Sequence, residues 1–295
     1  MKNFFLSLLA VLLLSCSSDN VLNENQNSNV IFSGYKITSL SIYDDGITPD
    51  NLSIRIGNIV NNKFISETIE YYTDNVSQGN PEIEKEYFYS NDLLTKIVFN
   101  DEIKEFYYDT DQNLVGLTWN NSGVYNYYRF VHVSQTLVYF EKVSLPYNDA
   151  NTQVLSRKII EFNNSNDIIK AGLDNNLDMV SDSYYEYTYL NGNIIQSNDQ
   201  NGTIKNYNYS NVVNNNYILE INSFGKKTLN IFNSEIYAYN FPEISSFSHF
   251  LDTETYSSSS YEVLNNNYFT KEIKIEHLTN FNLLNTKTTE FFLNR

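Results

Sequence analysis

The chain has 295 residues, 41% of them hydrophobic and only 18% charged, which is enough apolar material for a packed core and excludes a wholly disordered chain. The formal net charge is −16, from 35 acidic and 19 basic residues, which argues against nucleic acid as a main partner because phosphate binding needs clustered Lys and Arg. Tyr (25), Phe (19) and Asn (46) are plentiful and Ala occurs only at 10, 150, 171 and 238, a composition that avoids the best helix former and favours strands and turns.

Lys2 precedes an apolar stretch from Phe4 to Leu14, interrupted only by Ser7. A stretch of that length is too short to cross a bilayer as a helix and matches the apolar region of a secretory signal. It ends in Leu13-Leu14-Ser15-Cys16, which resembles a bacterial lipobox. The resemblance implies a signal peptide over 1–15 and a mature chain that begins with an acylated Cys16. Cys16 is the only cysteine in the sequence, so no disulfide partner competes for it. Acyl chains stabilise membrane attachment by about 0.8 kcal/mol per buried CH₂, so a multiply acylated cysteine is a lasting anchor. Residues 16–30, rich in Asn and Ser, read as a flexible tether. Cys16-Ser17-Ser18-Asp19 is similar to the mature start of lipoproteins of Bacteroidota, which implies the outer membrane, on its periplasmic or its exposed side.

From Ile31 to the end at 295 the sequence reads as one all-β domain. Period-two alternation runs through Tyr35, Ile37 and Ser39, through Ile54 and Ile56, and through Ile273 and Ile275, whereas helical spacing does not persist. Tyrosine-rich segments open at Tyr87, Phe106 and Tyr125, nineteen residues apart, and again at Tyr187 and Tyr207, twenty apart. Two short strands and two turns fill that length, so each repeat is one β-hairpin. Asn191-Gly192 and Asn201-Gly202 suit two-residue type I′ turns, which need positive φ at both positions. With both turns formed, Tyr189 faces Ile194 and Tyr209, and Tyr187 faces Gln196 and Tyr207. Tyr187, Tyr189, Tyr207 and Tyr209 then share one side, a candidate binding face. Phe224-Gly225-Lys226 reads as a further hairpin loop that sets Ile221 against Leu229 and Leu219 against Ile231. Residues 245–260 read as irregular.

Phe106-Tyr107-Tyr108-Asp109 leading through Asn113-Leu114 resembles the YD repeat of RHS-type proteins, as does the span from Tyr187 to Tyr209. The likeness is clear over 71–209 and departs from the full motif where Asp92 and Asn113 replace the glycine before the leucine. It implies consecutive hairpins laid side by side in a long, curved antiparallel meander able to wrap towards an open barrel.

Candidate chemistry is sparse. His132, His249 and His277 fit no metal motif and read as structural. Asp109, Asp111 and Asn113 begin like a calcium loop, but Leu114 and Asn120 break the pattern, so a turn is expected. Glu82, Glu84 and Glu86 read as a solvated acidic stripe. No phosphate loop, dinucleotide motif or nucleophile elbow occurs, so no cofactor or metal is expected. The sequence points to a membrane-anchored envelope lipoprotein acting as a non-enzymatic binding or structural module for a protein or glycan. The alternative is a glycan-acting hydrolase whose carboxylates are assembled by the fold.

Overall fold

A computed structural model describes residues 31–43, 50–74, 76–236, 248–250, 257–263, 269–278 and 283–294. The segments read from the sequence as a signal peptide (1–15) and, from Cys16, a tether (16–30) lie outside the described residues. The strands are β1 (Ile31–Tyr43), β2 (Asn51–Val60), β3 (Lys63–Thr73), β4 (Val76–Ser77), β5 (Glu82–Ser90), β6 (Leu93–Phe99) and β7 (Glu102–Tyr108). Next come β8 (Leu114–Asn121), β9 (Val124–His132), β10 (Leu137–Val143), β11 (Val154–Phe162), β12 (Ile168–Asp174), β13 (Ser183–Leu190) and β14 (Asn193–Asp199). After β15 (Ile204–Asn206) and β16 (Tyr209–Val213) stand two helices, α1 (Asn215–Phe224) and α2 (Lys226–Ile236). The chain finishes with β17 (Ser248–Phe250), β18 (Ser257–Val263), β19 (Phe269–Leu278) and β20 (Leu283–Asn294).

Eighteen strands form one antiparallel sheet. Strands β1 to β15 follow chain order, with β4 a short appendage on β3, and β18, β19 and β20 dock as a unit through β20 onto β1. Among the described residues the sheet is open, with edges at β15 and β18, and it does not close into a barrel. The all-β meander read from the sequence is therefore the fold. The small pair β16–β17 stands apart from it.

The asparagines explain how so many hairpins turn. Asn61-Asn62, Asn91-Asp92, Ser122-Gly123 and Asn191-Gly192 all have positive φ at both positions, the geometry of tight hairpin loops that Asn tolerates better than other non-glycine residues. A wider loop recurs at 109–113, 163–167 and 199–203. In each, the first side chain (Asp109, Asn163 or Asp199) accepts the backbone N–H two and four residues on, at 2.8–2.9 Å. These turns are what the aspartate of the Tyr-Asp pair is for, and the calcium-like run at Asp109 is one of them.

Two registers differ from the sequence reading. Tyr189 pairs with Ile194 as expected, but a bulge then sets Tyr187 opposite Ser197 rather than Gln196. Asn201-Gly202 lies in the wider loop held by Asp199, so Gln196 pairs with Asn206 rather than Tyr207. Both shifts come from side chains and bulges that add a residue without leaving a mark in the dipeptide. Tyr187 and Tyr189 nonetheless share the inner side with Ile194 and Tyr207.

Bulges of this kind recur beside the turns at Ile59, Tyr89, Tyr108, Phe162 and Tyr189. Each adds twist and bends the sheet, so the meander curls and its inner face becomes a concave core. Residues just after the turns along one rim, Phe64, Leu94, Leu114, Val138, Ile168 and Ile194, are all buried there. A second device ties successive hairpins together. The phenols of Tyr89, Tyr108, Tyr189 and Tyr209 donate to the carbonyls of Phe64, Leu94, Ile168 and Ile194 respectively, each one hairpin back, at 2.8–2.9 Å. His132 takes the same place, its Nε2 lying 2.8 Å from the carbonyl of Leu114.

The region 219–231 is corrected from hairpin to helix pair. Asn214 caps α1 by accepting the N–H of Tyr217 at 3.2 Å, and Gly225, at φ 76°, ends it with its N–H on the carbonyl of Ile221. The serine run 257–260, read as irregular, lies in β18. Helix α1 packs against β3 and β6 and α2 against β12, so the pair sits inside the curl. Ser223 Oγ accepts the N–H of Phe64, Asn230 donates to the carbonyl of Asn166, and Lys226 pairs with Asp167 at 2.8 Å. Leu219 and Ile231 pack into the cluster formed by the rim residues, and Leu229 is buried beside them. Neither helix, nor any other among the described residues, is long and apolar enough to cross a membrane.

On the side of the sheet away from the helix pair lies a row of charged residues, three of them buried. Arg129, Glu141, Arg157 and Asp174 are directly paired across β9, β10, β11 and β12. Both guanidiniums donate to Glu141, and Arg157 also reaches Asp174 at 2.9 Å.

Candidate functional site

Between the helix pair and strands β3, β5, β6 and β7 lies a cavity of about 360 Å³. Its apolar wall comes from Phe64, Tyr87, Ile97 and Phe99 of the sheet and from Phe224, Leu229 and Phe232 of the helices. Its polar groups are Lys85, Glu102, Lys104, Glu220 and Asn233. The alternation of the strands supplies the sheet residues, and a bulge in β5 turns one further residue inward next to them. Glu67 pairs with Lys85 and Thr68 with Ile83, so Glu84 is the extra residue and turns inward, buried. The solvated acidic stripe read from Glu82, Glu84 and Glu86 is therefore corrected at its middle member, on an interior strand rather than an edge.

Beneath the cavity these residues form a charged floor. The Arg55 guanidinium forks onto both oxygens of Glu84 and lies 3.5 Å from Glu67. Glu67 accepts the phenol of Tyr87 at 3.1 Å and pairs with Lys85 at 3.6 Å. Tyr35 reaches the same carboxylate by lying flat across Gly57, where any Cβ would meet its ring at 1.9 Å. Burial first, and the Glu67 charge second, push the phenols of Tyr35 and Tyr87 far above their ordinary range, so both remain proton donors.

Two ammonium groups border the space. Lys85 lies over the rings of Tyr87 and Phe99 at 5.6 and 5.4 Å. Lys104 lies over Trp119 at 4.5 Å and Phe232 at 5.7 Å, and pairs with Glu102 at 3.3 Å. Across from them Glu220 projects from α1. Burial pushes its carboxyl up to about 7, with Glu67 adding to the rise and Lys85 opposing it. The arrangement offers aromatic surface, two cations and a carboxyl poised to gain or lose a proton near neutrality.

The residues singled out from sequence lie elsewhere. Cys16 is outside the described residues. Tyr187, Tyr189 and Tyr209 pack against the core and Tyr207 is within it. The phenols of Tyr189 and Tyr209 are committed to carbonyls, and that of Tyr207 to Ser197 at 2.8 Å. His132 lines a separate polar groove of about 740 Å³ at the rim, with Lys227 and several asparagines. His249 lies in β17 and His277 in β19. Among the described residues no group of three or more His, Cys, Asp or Glu is placed to hold a metal ion. Sequence reasoning missed Lys85, Glu102, Lys104 and Glu220. The helical spacing of Tyr217, Ile221 and Phe224, and of Leu229, Phe232 and Ile236, was the signal that locates Glu220.

No family model matches the chain, and no curated protein does. Among solved structures it is similar to a porin-like protein from Bacteroides uniformis, at 10% identity and TM-score 0.40, over 89% of this chain and 96% of that one. It is also similar to TcdB2-TccC3 without its hypervariable C-terminal region, at 12% identity and TM-score 0.33, over 78% of this chain and 14% of that one.

Proposed function

We propose that the chain is an envelope lipoprotein, held at the outer membrane through acylated Cys16, whose curved sheet serves as a binding module. The observation that supports a binding role is the cavity beneath the helix pair, where apolar walls, Lys85, Lys104 and Glu220 converge. The lipobox and the polar tether support the placement. A tether of that composition leaves the folded body free to meet a protein or glycan of the envelope.

The test is fractionation of cells that express the full chain. The native protein is expected in the membrane fraction and labelled by a palmitate analogue, and Cys16→Ser is expected unlabelled and released. A Cys16→Ser chain that stays in the membrane fraction overturns the anchor. Pull-down from solubilised envelope with the acylated chain then identifies the partner.

One observation favours the second reading, a glycan hydrolase. Glu220, raised to about 7 in a cavity that also holds Glu102, has the protonation a general acid requires. Turnover of chromogenic glycosides that Glu220→Gln abolishes would establish it, and no turnover across a broad glycoside panel would remove it.

A further inference from the structure

The cavity also indicates what it takes. We infer that it is a receptor site for a small amphiphilic acid, its apolar body among Phe64, Phe99, Phe224 and Phe232 and its acidic head between Lys85 and Lys104. This rests on the binding reading of the same cavity.

The polarity follows from what each charged group already does. An ammonium carries three donors. Lys85 meets Glu67 at 3.6 Å and Lys104 meets Glu102 at 3.3 Å, both long for a charge-assisted bond, and both side chains keep some exposure. Their remaining donors suit an anion that bridges them. A cationic ligand fits worse, because the faces of Tyr87, Phe99 and Phe232 are already covered by these two ammonium groups.

Glu220 makes the site respond to pH. It faces Lys85 and Glu67 from the sheet, with the phenols of Tyr87 and Tyr217 close by, and Glu102 and Lys104 share its cavity. With Glu220 protonated, the cavity's own charges are Lys85 and Lys104 against Glu102, a net positive lining that attracts an acid. With Glu220 ionised that excess disappears, and its carboxylate competes with the acid for Lys85. If only the protonated form binds, and the carboxyl titrates near 7, affinity falls about tenfold between about pH 6 and about pH 8.

The probe is anilinonaphthalene sulfonate, titrated by fluorescence against the full chain beside its uncharged phenylnaphthylamine analogue. Saturable one-to-one binding of the sulfonate is expected, about tenfold weaker at about pH 8 than at about pH 6. Glu220→Gln is expected to erase that pH dependence. Lys104→Gln, and the double variant Lys85→Met/Lys104→Met, are expected to weaken the sulfonate by about tenfold or more while sparing the uncharged analogue. The pH comparison on the native chain needs no variant to fold. Equal behaviour of the two probes across pH, or sulfonate binding undiminished in the lysine variants, overturns the inference. Those results leave anchoring and partner capture to be judged by fractionation and pull-down, which do not depend on the probe.

Discussion

Glu220→Gln tests the electrostatics of the cavity directly. Burial beside Glu67 raises the carboxyl from its ordinary 4.5 to about 7. The folded state thus binds this proton more tightly than the unfolded chain does. The stability it contributes is present below about 4.5 and is lost as pH rises through about 7. At 1.36 kcal/mol per decade of proton affinity, holding the ionised carboxylate in place costs about 3 kcal/mol above neutrality, trimmed to about 2 by its partial exposure. Glutamine keeps the shape and never ionises. Urea unfolding should therefore show Glu220→Gln about 2 kcal/mol more stable than the native chain at about pH 8.5, and within about 0.5 kcal/mol of it at about pH 4. A stability difference that does not change between those two pH values would refute the reasoning, because a neutral effect of the substitution would be constant.

Three more consequences follow from the fold. Glu141, 2% exposed and held by two guanidiniums, should lose about 3 kcal/mol as Glu141→Gln, whereas Arg129→Met, whose side chain is 32% exposed, should lose under about 1 kcal/mol in the same urea experiment. Tyr108→Phe and Tyr189→Phe each remove only the hydroxyl that joins one hairpin to the last, and each should lower stability by about 1 kcal/mol; no change in both would show the links to be idle. Asp109 is held below the usual carboxylate range first by the Asn113 side chain, and Asp199 first by the Thr203 amide. That stability is present above their ordinary range and is lost as pH falls through the lowered values, so Asp109→Ala/Asp199→Ala should flatten the acid limb of the melting profile.

Much of this architecture was legible because it repeats. Tyr87 and Phe106, nineteen residues apart, and Tyr187 and Tyr207, twenty apart, all face inward, whereas Tyr125 at the next step of nineteen is exposed, because the register there has moved on to Tyr128. The pairing of Tyr187 was not legible, since a bulge is made by backbone geometry and no residue type announces it. The helix pair was misread for a related reason. Leu219 and Ile221, then Leu229 and Ile231, alternate as strands do, while Tyr217, Ile221 and Phe224 recur as helices do, and seven or eight residues cannot decide between the periods. The Asn214 cap decides it, and a run of three asparagines at 214–216 resembles a turn as much as a cap. Glu84, Arg55 and Glu67 come from three strands, so only the completed register could join them.

The site's position follows from connectivity. The final strands β18, β19 and β20 join the sheet at β1, while the meander ends at β15, and the helix pair lies in the chain between those two edges. A single sheet cannot bury its apolar face without a partner layer. The helix pair is that layer, since Leu219 and Ile231 join the core cluster of Phe64, Leu94 and Ile168 that the hairpins build. Two short helices cannot fill a concavity lined by residues as long as Lys85, Phe99 and Lys104, and the space left over is the cavity. Folding and site formation are then one event. Any change that prevents the helix pair from docking, such as loss of the Ser223 contact with Phe64 or of the Asn230 contact with Asn166, removes the wall that carries Glu220 and leaves the two lysines on an open sheet.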